Sequence, residues 1–105
     1  MSCKSCQHIP MPIRLPKDLK AALEKMSLLI EAGKFSSLGY APDARDFEYI
    51  ARTHNWGDCV EVYFSCNVCG QKYVMYADAY HGRGGMLMPV DKLHPRLIRD
   101  ERHPV

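Results

Sequence analysis

The sequence predicts an α+β fold: N-terminal helices packed on a small antiparallel sheet, with a zinc-ribbon-like knuckle at the hairpin. Three observations predict it. Apolar residues recur at helical spacing across 17–31, and apolar and polar residues alternate in 59–65 and again in 71–77. Two Cys-x-x-Cys pairs, Cys3/Cys6 and Cys66/Cys69, flank most of the chain, and the second pair lies between the two alternating runs.

The frame for these elements is small. At 105 residues and 12.0 kDa the chain builds one modest core and hardly more than one domain. A hydrophobic share of 47% beside a charged share of 25% is that of a globular chain and excludes a disordered or fibrous one. No apolar run approaches the ~20 residues that span a bilayer. The start, MSCKSCQHIPMPIR, has no apolar stretch ending in small residues, so a cytoplasmic location is the expectation.

Taken in order, residues 8–16 hold Pro10, Pro12 and Pro16 and read as an extended arm. A helix follows over 17–31. Leu19, Ala22, Leu23, Met26, Leu29 and Ile30 form its apolar stripe, Pro16 suits its first turn and Gly33 its stop. Residues 34–41, rich in small side chains, read as a loop. A shorter helix is expected over 42–54, with Phe47, Ile50 and Ala51 inward and Asp43, Asp46 and Glu48 where a helix dipole favours acid. Asn55-Trp56-Gly57-Asp58 is a turn. The runs 59–65 and 71–77 form a hairpin, 78–85 a glycine-rich connection, and 86–90 a third strand placed at the sheet edge by Pro89. Residues 1–90 are expected to make one domain and 91–105 a polar tail with little structure.

The cysteines carry the clearest chemistry. A Cys-x-x-Cys lets two sulfurs converge on one ion at about 2.3 Å, and two pairs complete a tetrahedron. Cys3, Cys6, Cys66 and Cys69 are therefore the expected ligands of one structural Zn²⁺. Gly70 permits the tight turn after the second pair. The 59 intervening residues exceed the 15–20 of compact ribbons, but closure entropy rises only logarithmically with loop length. A thioredoxin-type redox role would need a pair opening a helix after a strand, and neither pair does so. Cys59 is left over and reads as a small buried apolar residue.

Catalysis finds little support. Asp78, His81 and Cys59 form an arithmetically possible set, but no motif spacing unites them. Four cysteines also close a metal shell against water. The chain is expected not to be an enzyme. Charge argues similarly against polyanions: the formal +2 falls to about zero once four thiolates hold a Zn²⁺. A nucleic-acid-binding zinc ribbon is the alternative, resting on Lys72, Arg83, Arg96, Arg99 and Arg102 and opposed by the interleaved Asp91, Asp100 and Glu101. A protein partner is preferred. Its expected contacts are Tyr80, His81, Arg83 and Met86, large or hydrogen-bonding side chains set among glycines.

Together, Cys3/Cys6, the helix 17–31, Trp56-Gly57-Asp58, Cys66–Gly70 and Tyr80-His81-Gly82-Arg83-Gly84-Gly85 resemble small bacterial zinc-ribbon-like proteins of the toxin-immunity type. The resemblance covers about residues 1–90. It implies a non-catalytic single domain that neutralises a cognate toxin by binding it and covering its active site.

Overall fold

The helical stripe becomes α1, Pro16–Glu31, in the computed structural model of the chain, which describes residues 3, 6 and 8–99. Its start is fixed by Asp18, whose carboxylate accepts the backbone N–H groups of Arg14 (3.0 Å) and Leu15 (2.9 Å). Those two bonds hold the Asp18 carboxyl below the usual range. Leu19, Ala22, Leu23 and Met26 are buried along one side. The second helix, α2, is Phe47–Thr53, shorter than the expected 42–54. Asp46 is the reason: extended at φ −65° and ψ 152°, it accepts the N–H of Tyr49 (2.6 Å) and caps the helix one turn later.

Six strands form one antiparallel sheet: β1 Met11–Ile13, β2 Phe35–Tyr40, β3 Cys59–Cys66, β4 Lys72–Asp78, β5 Gly84–Val90 and β6 Ile98–Arg99. Their order is β1-β5-β4-β3-β2-β6. The expected hairpin is the β3–β4 pair, in register from Cys59↔Asp78 to Ser65↔Lys72. The chain is α+β, with two helices and a six-stranded sheet among the described residues.

Four expectations are corrected here. The arm at 8–16 contains β1, which pairs with β5. The segment 34–41 is not a loop but holds β2, paired with β3 along Phe35↔Cys66 to Tyr40↔Val62 with a bulge between Ser37 and Gly39. Pairing supplied by β3 overrides the weak strand propensity of two serines and a glycine. The third strand is not at the edge, because β5 lies between β4 and β1. Pro89 is tolerated since the β1 pairing covers only Gly85, Met86 and Leu87. Finally, the segment 91–105 contributes β6 to the far edge, on β2; Asp100, Glu101 and Arg102 lie outside the described residues.

One cluster forms the core. Alternate residues of β3, Val60, Val62, Phe64 and Cys66, share it with Met75 and Leu87 and with Leu19, Leu23, Met26 and Ile50 of the helices. Phe47 meets Phe64 edge-to-face at 5.1 Å. On the other side of the sheet, Met86 lies beside Pro12 and Tyr76 in one cross-strand row. Tyr76, Met86 and the nearby Met88 are 41%, 43% and 38% exposed, an apolar strip left open to solvent. Among the described residues no helix is long and apolar enough to cross a membrane.

Candidate metal centre

The β3–β4 turn builds one half of the site. Cys66 closes β3 facing the core, and its N–H donates to the Gln71 carbonyl (2.9 Å). The chain reverses through Asn67-Val68-Cys69. Gly70, at φ +80°, then donates its N–H to the Cys66 carbonyl (2.9 Å). That left-handed conformation is where glycine is at no disadvantage, as the sequence suggested.

Asn67, which the sequence reading passed over, anchors this turn to the start of β2. Its N–H donates to the Lys34 carbonyl (2.8 Å) and its side-chain amide to the Gly33 carbonyl (2.9 Å). Its side-chain oxygen accepts the Ser36 hydroxyl (2.8 Å). Three partners on one residue fix the turn on a rigid base.

The other half comes from the N-terminal segment. The Cys6 N–H donates to the Cys3 carbonyl (2.9 Å), a tight turn that aims both sulfurs the same way. Lys25 of α1 donates to the His8 carbonyl (2.5 Å) and ties the segment to the helix. His8 thus enters through its backbone.

The four sulfurs meet. The Sγ atoms of Cys3, Cys6, Cys66 and Cys69 all lie within 4.8 Å of one another, a group able to hold a metal ion. Cys3 to Cys66 is 3.9 Å and Cys6 to Cys69 is 3.6 Å. A disulfide would need about 2.05 Å, and all five cysteines are free. A tetrahedron with metal–sulfur bonds of about 2.3 Å has edges of about 3.8 Å. The two closest approaches are near that length, and the whole set stays within 4.8 Å.

Two of the four thiols are shifted, in opposite directions. Burial alone would raise the Cys66 thiol, but N–H groups of Cys69 and Val68 point at its sulfur and bring it down to about 7. Cys6 goes the other way, pushed up to about 12 by burial, a trend opposed by a hydrogen bond from the Tyr73 hydroxyl. Tyr73, itself buried, is held above the usual phenol range by burial and by that thiol. With no cation the neighbouring sulfurs resist joint ionisation; a divalent ion removes that resistance. Soft thiolate donors in a tetrahedral set suit zinc or iron and disfavour magnesium or calcium.

The expected partner-binding residues divide into two places. Tyr80 and His81 stand together in the β4–β5 loop, edge-to-face at 4.8 Å, with Tyr80 71% exposed. Asp78 accepts the His81 N–H (3.1 Å) and pairs with its Nδ1 (2.9 Å). Those bonds hold the Asp78 carboxyl below its ordinary range. Arg83 is exposed in the same loop, whereas Met86 lies on the open strip of β5. The glycines also divide: Gly82 turns the loop, but Gly84 and Gly85 belong to β5. A Cβ on Gly85 would collide with the Tyr76 carbonyl of β4, so this glycine serves close strand approach.

Cys59 lies opposite Asp78 in the sheet register. Burial and then the carboxylates of Glu61, Asp43, Asp78 and Asp58 push its thiol up. That is the reverse of what a thiolate nucleophile needs. Among the described residues no hydrogen bond joins Cys59 to His81. Comparison of the chain with protein-family models, with curated proteins and with solved structures finds no match.

Proposed function

We propose that the protein holds one structural Zn²⁺ through Cys3, Cys6, Cys66 and Cys69 and works by binding another protein, without catalysis. In this reading the helices pack as a layer on the sheet, and the turn at 66–70 is a zinc-ribbon-like knuckle. The observation that carries it is the four-sulfur cluster at tetrahedral separation. A metal with four protein sulfurs has no position left for water or substrate, so its role is to join segments. The raised Cys59 thiol supports the non-enzymatic part. The open strip of Tyr76, Met86 and Met88, beside a loop presenting Tyr80, His81 and Arg83, supplies the aromatic, methionine and arginine side chains that protein interfaces favour. Neutralising a bacterial toxin is the specific form of this function that the sequence resemblance suggests.

A nucleic-acid role is the second reading, favoured by one observation: the guanidinium groups of Arg45 and Arg52 lie 5.9 and 6.0 Å from the Tyr49 ring, a cationic aromatic spot on α2. The deciding experiment is a pull-down of the tagged, metal-loaded chain from its own cells, nuclease-treated, read by mass spectrometry. One protein recovered in stoichiometric amount, and recovered at least tenfold less by Arg83→Ala, supports the first reading. Recovery that vanishes on nuclease treatment and with rising salt replaces it with the second.

A further inference from the structure

Two features singled out in the sequence, the tryptophan turn and the glycine-rich loop, come together at one end of the sheet. There they line, with the β1–α1 junction, an open cavity of about 220 Å³. Its floor is apolar: Ile13, Leu19 and Ala77 are each no more than 3% exposed. Trp56 and Leu15 make its walls, and Leu15 keeps 54% of its surface in solvent although it is a large apolar residue. An apolar floor offers water few partners, and a cavity of about 150 Å³ already holds a benzene ring. This one has room for a ring plus the carbons that attach it.

Two charged side chains line the cavity, and they differ. The Asp78 carboxylate is engaged by His81. The Arg14 guanidinium, on an exposed residue, makes no hydrogen bond or ion pair among the described residues, although it attracts the nearby Asp18 carboxylate. Its backbone is nevertheless held firmly, since its N–H bonds to Asp18. A cavity that is apolar inside and carries an exposed guanidinium at its rim is complementary to an aromatic group with a carboxylate close by.

We propose that this cavity is an anchor site for an aromatic side chain of a protein partner, with a neighbouring carboxylate of that partner meeting Arg14. The inference rests on the protein-binding reading above and names the subsite it uses. It also gives the loop a second purpose: Ala79, Gly82 and Gly84 form part of the wall, so a partner anchored here is brought against Tyr80 and Arg83. Buried aromatic anchors in preformed pockets are where interface energy concentrates.

Trp56 is the sole tryptophan, so its fluorescence reports the cavity directly. The metal-loaded full chain is titrated with N-acetylphenylalanine, with its amide, and with N-acetylalanine. The phenylalanine acid is expected to change Trp56 emission saturably, the amide to bind roughly fivefold more weakly, and the alanine acid to give no response. Ala79→Leu, which fills the cavity from an exposed position, is expected to abolish the response with an unchanged melting temperature. Arg14→Gln is expected to make acid and amide equal. No saturable change with N-acetylphenylalanine, or a change that survives Ala79→Leu, overturns the site. Equal affinities of acid and amide for the wild-type chain overturn the part given to Arg14. A failed titration beside a recovered protein partner overturns the cavity alone, whereas a saturating titration beside a pull-down without protein overturns the protein-binding reading.

Discussion

Removing one cysteine at a time, with and without a chelator, separates the contribution of a metal from that of the side chains as packing. Cys66 is 1% exposed and belongs to the core cluster, whereas Cys3 is half-buried and reaches the site from outside it. In Cys66→Ser a hydroxyl replaces a sulfur in that core. An unsatisfied buried polar group costs about 1–3 kcal/mol. For a domain of this size that lowers Tm by roughly 5–20 °C. In Cys3→Ser the hydroxyl stands where water reaches, and the cost apart from metal is within about 0.5 kcal/mol. Metal binding to the folded chain alone contributes about 4 kcal/mol when free metal exceeds Kd a thousandfold. Stripping it should lower the wild-type Tm by roughly 15–30 °C. Thermal melts followed by circular dichroism, on three proteins each with zinc and with chelator, test all of this. With zinc, both variants should melt below wild type. With chelator, Cys3→Ser should melt together with wild type, and Cys66→Ser well below both. A wild-type Tm indifferent to chelator refutes the metal, and equal melting of the two variants in chelator refutes the division between core and arm.

The remaining expectations are narrower. Elemental analysis should find one zinc per chain, with X-ray absorption showing four sulfurs at about 2.3 Å; oxygen or nitrogen scatterers, or much less than one equivalent, count against the site. Gly85→Ala should cost about 1–3 kcal/mol in urea unfolding, because the new Cβ meets the Tyr76 carbonyl and two strands must part. His81→Ala keeps the backbone N–H, the larger cause of the shift, and removes the imidazole, so the Asp78 carboxyl should return only part of the way toward its ordinary titration, followed by NMR of its side-chain carbon. Since the folded value is depressed, the stabilisation is complete above the ordinary carboxylate pKa of about 4. It is lost as pH falls through the depressed value, so wild type and His81→Ala should converge in acid.

Periodicity made α1 and the β3–β4 hairpin legible, since a buried stripe at spacing 3.6 and an alternation of two leave marks in the residues themselves. The approach of the four sulfurs was legible for a similar reason: a Cys-x-x-Cys pair states half of a tetrahedron locally. What was not legible depends on partners far along the chain. Phe35–Tyr40 is a strand because β3 pairs with it, and its own serines and glycine do not declare one. Asn67 looks like an ordinary turn residue until the hydrogen bonds to Gly33 and Ser36, 34 and 31 positions away, are seen. Gly84 and Gly85 were read as loop glycines because a turn and a close strand contact ask for the same absent side chain. Likewise Trp56, read as part of the turn before β3, gave no sign of the cavity it walls, whose other sides come from two separate stretches.

The two outermost strands are the shortest in the sheet, three residues at β1 and two at β6, and they come from opposite ends of the chain. Unpaired strand edges are templates for association between molecules. Here β1 covers Gly85–Leu87 of β5 and β6 covers Gly39 and Tyr40 of β2, so each long strand is shielded over part of its edge. Protection of the sheet edges therefore depends on β1 and β6. Shortening the protein at the front would bare β5, with Met86 and Met88 already on the surface, and shortening it at the back would bare β2. Either trimmed form would be prone to self-association, and the cut at the front would also take Ile9 and Ile13 out of the core; expression tags belong on a spacer long enough to leave both short strands in place.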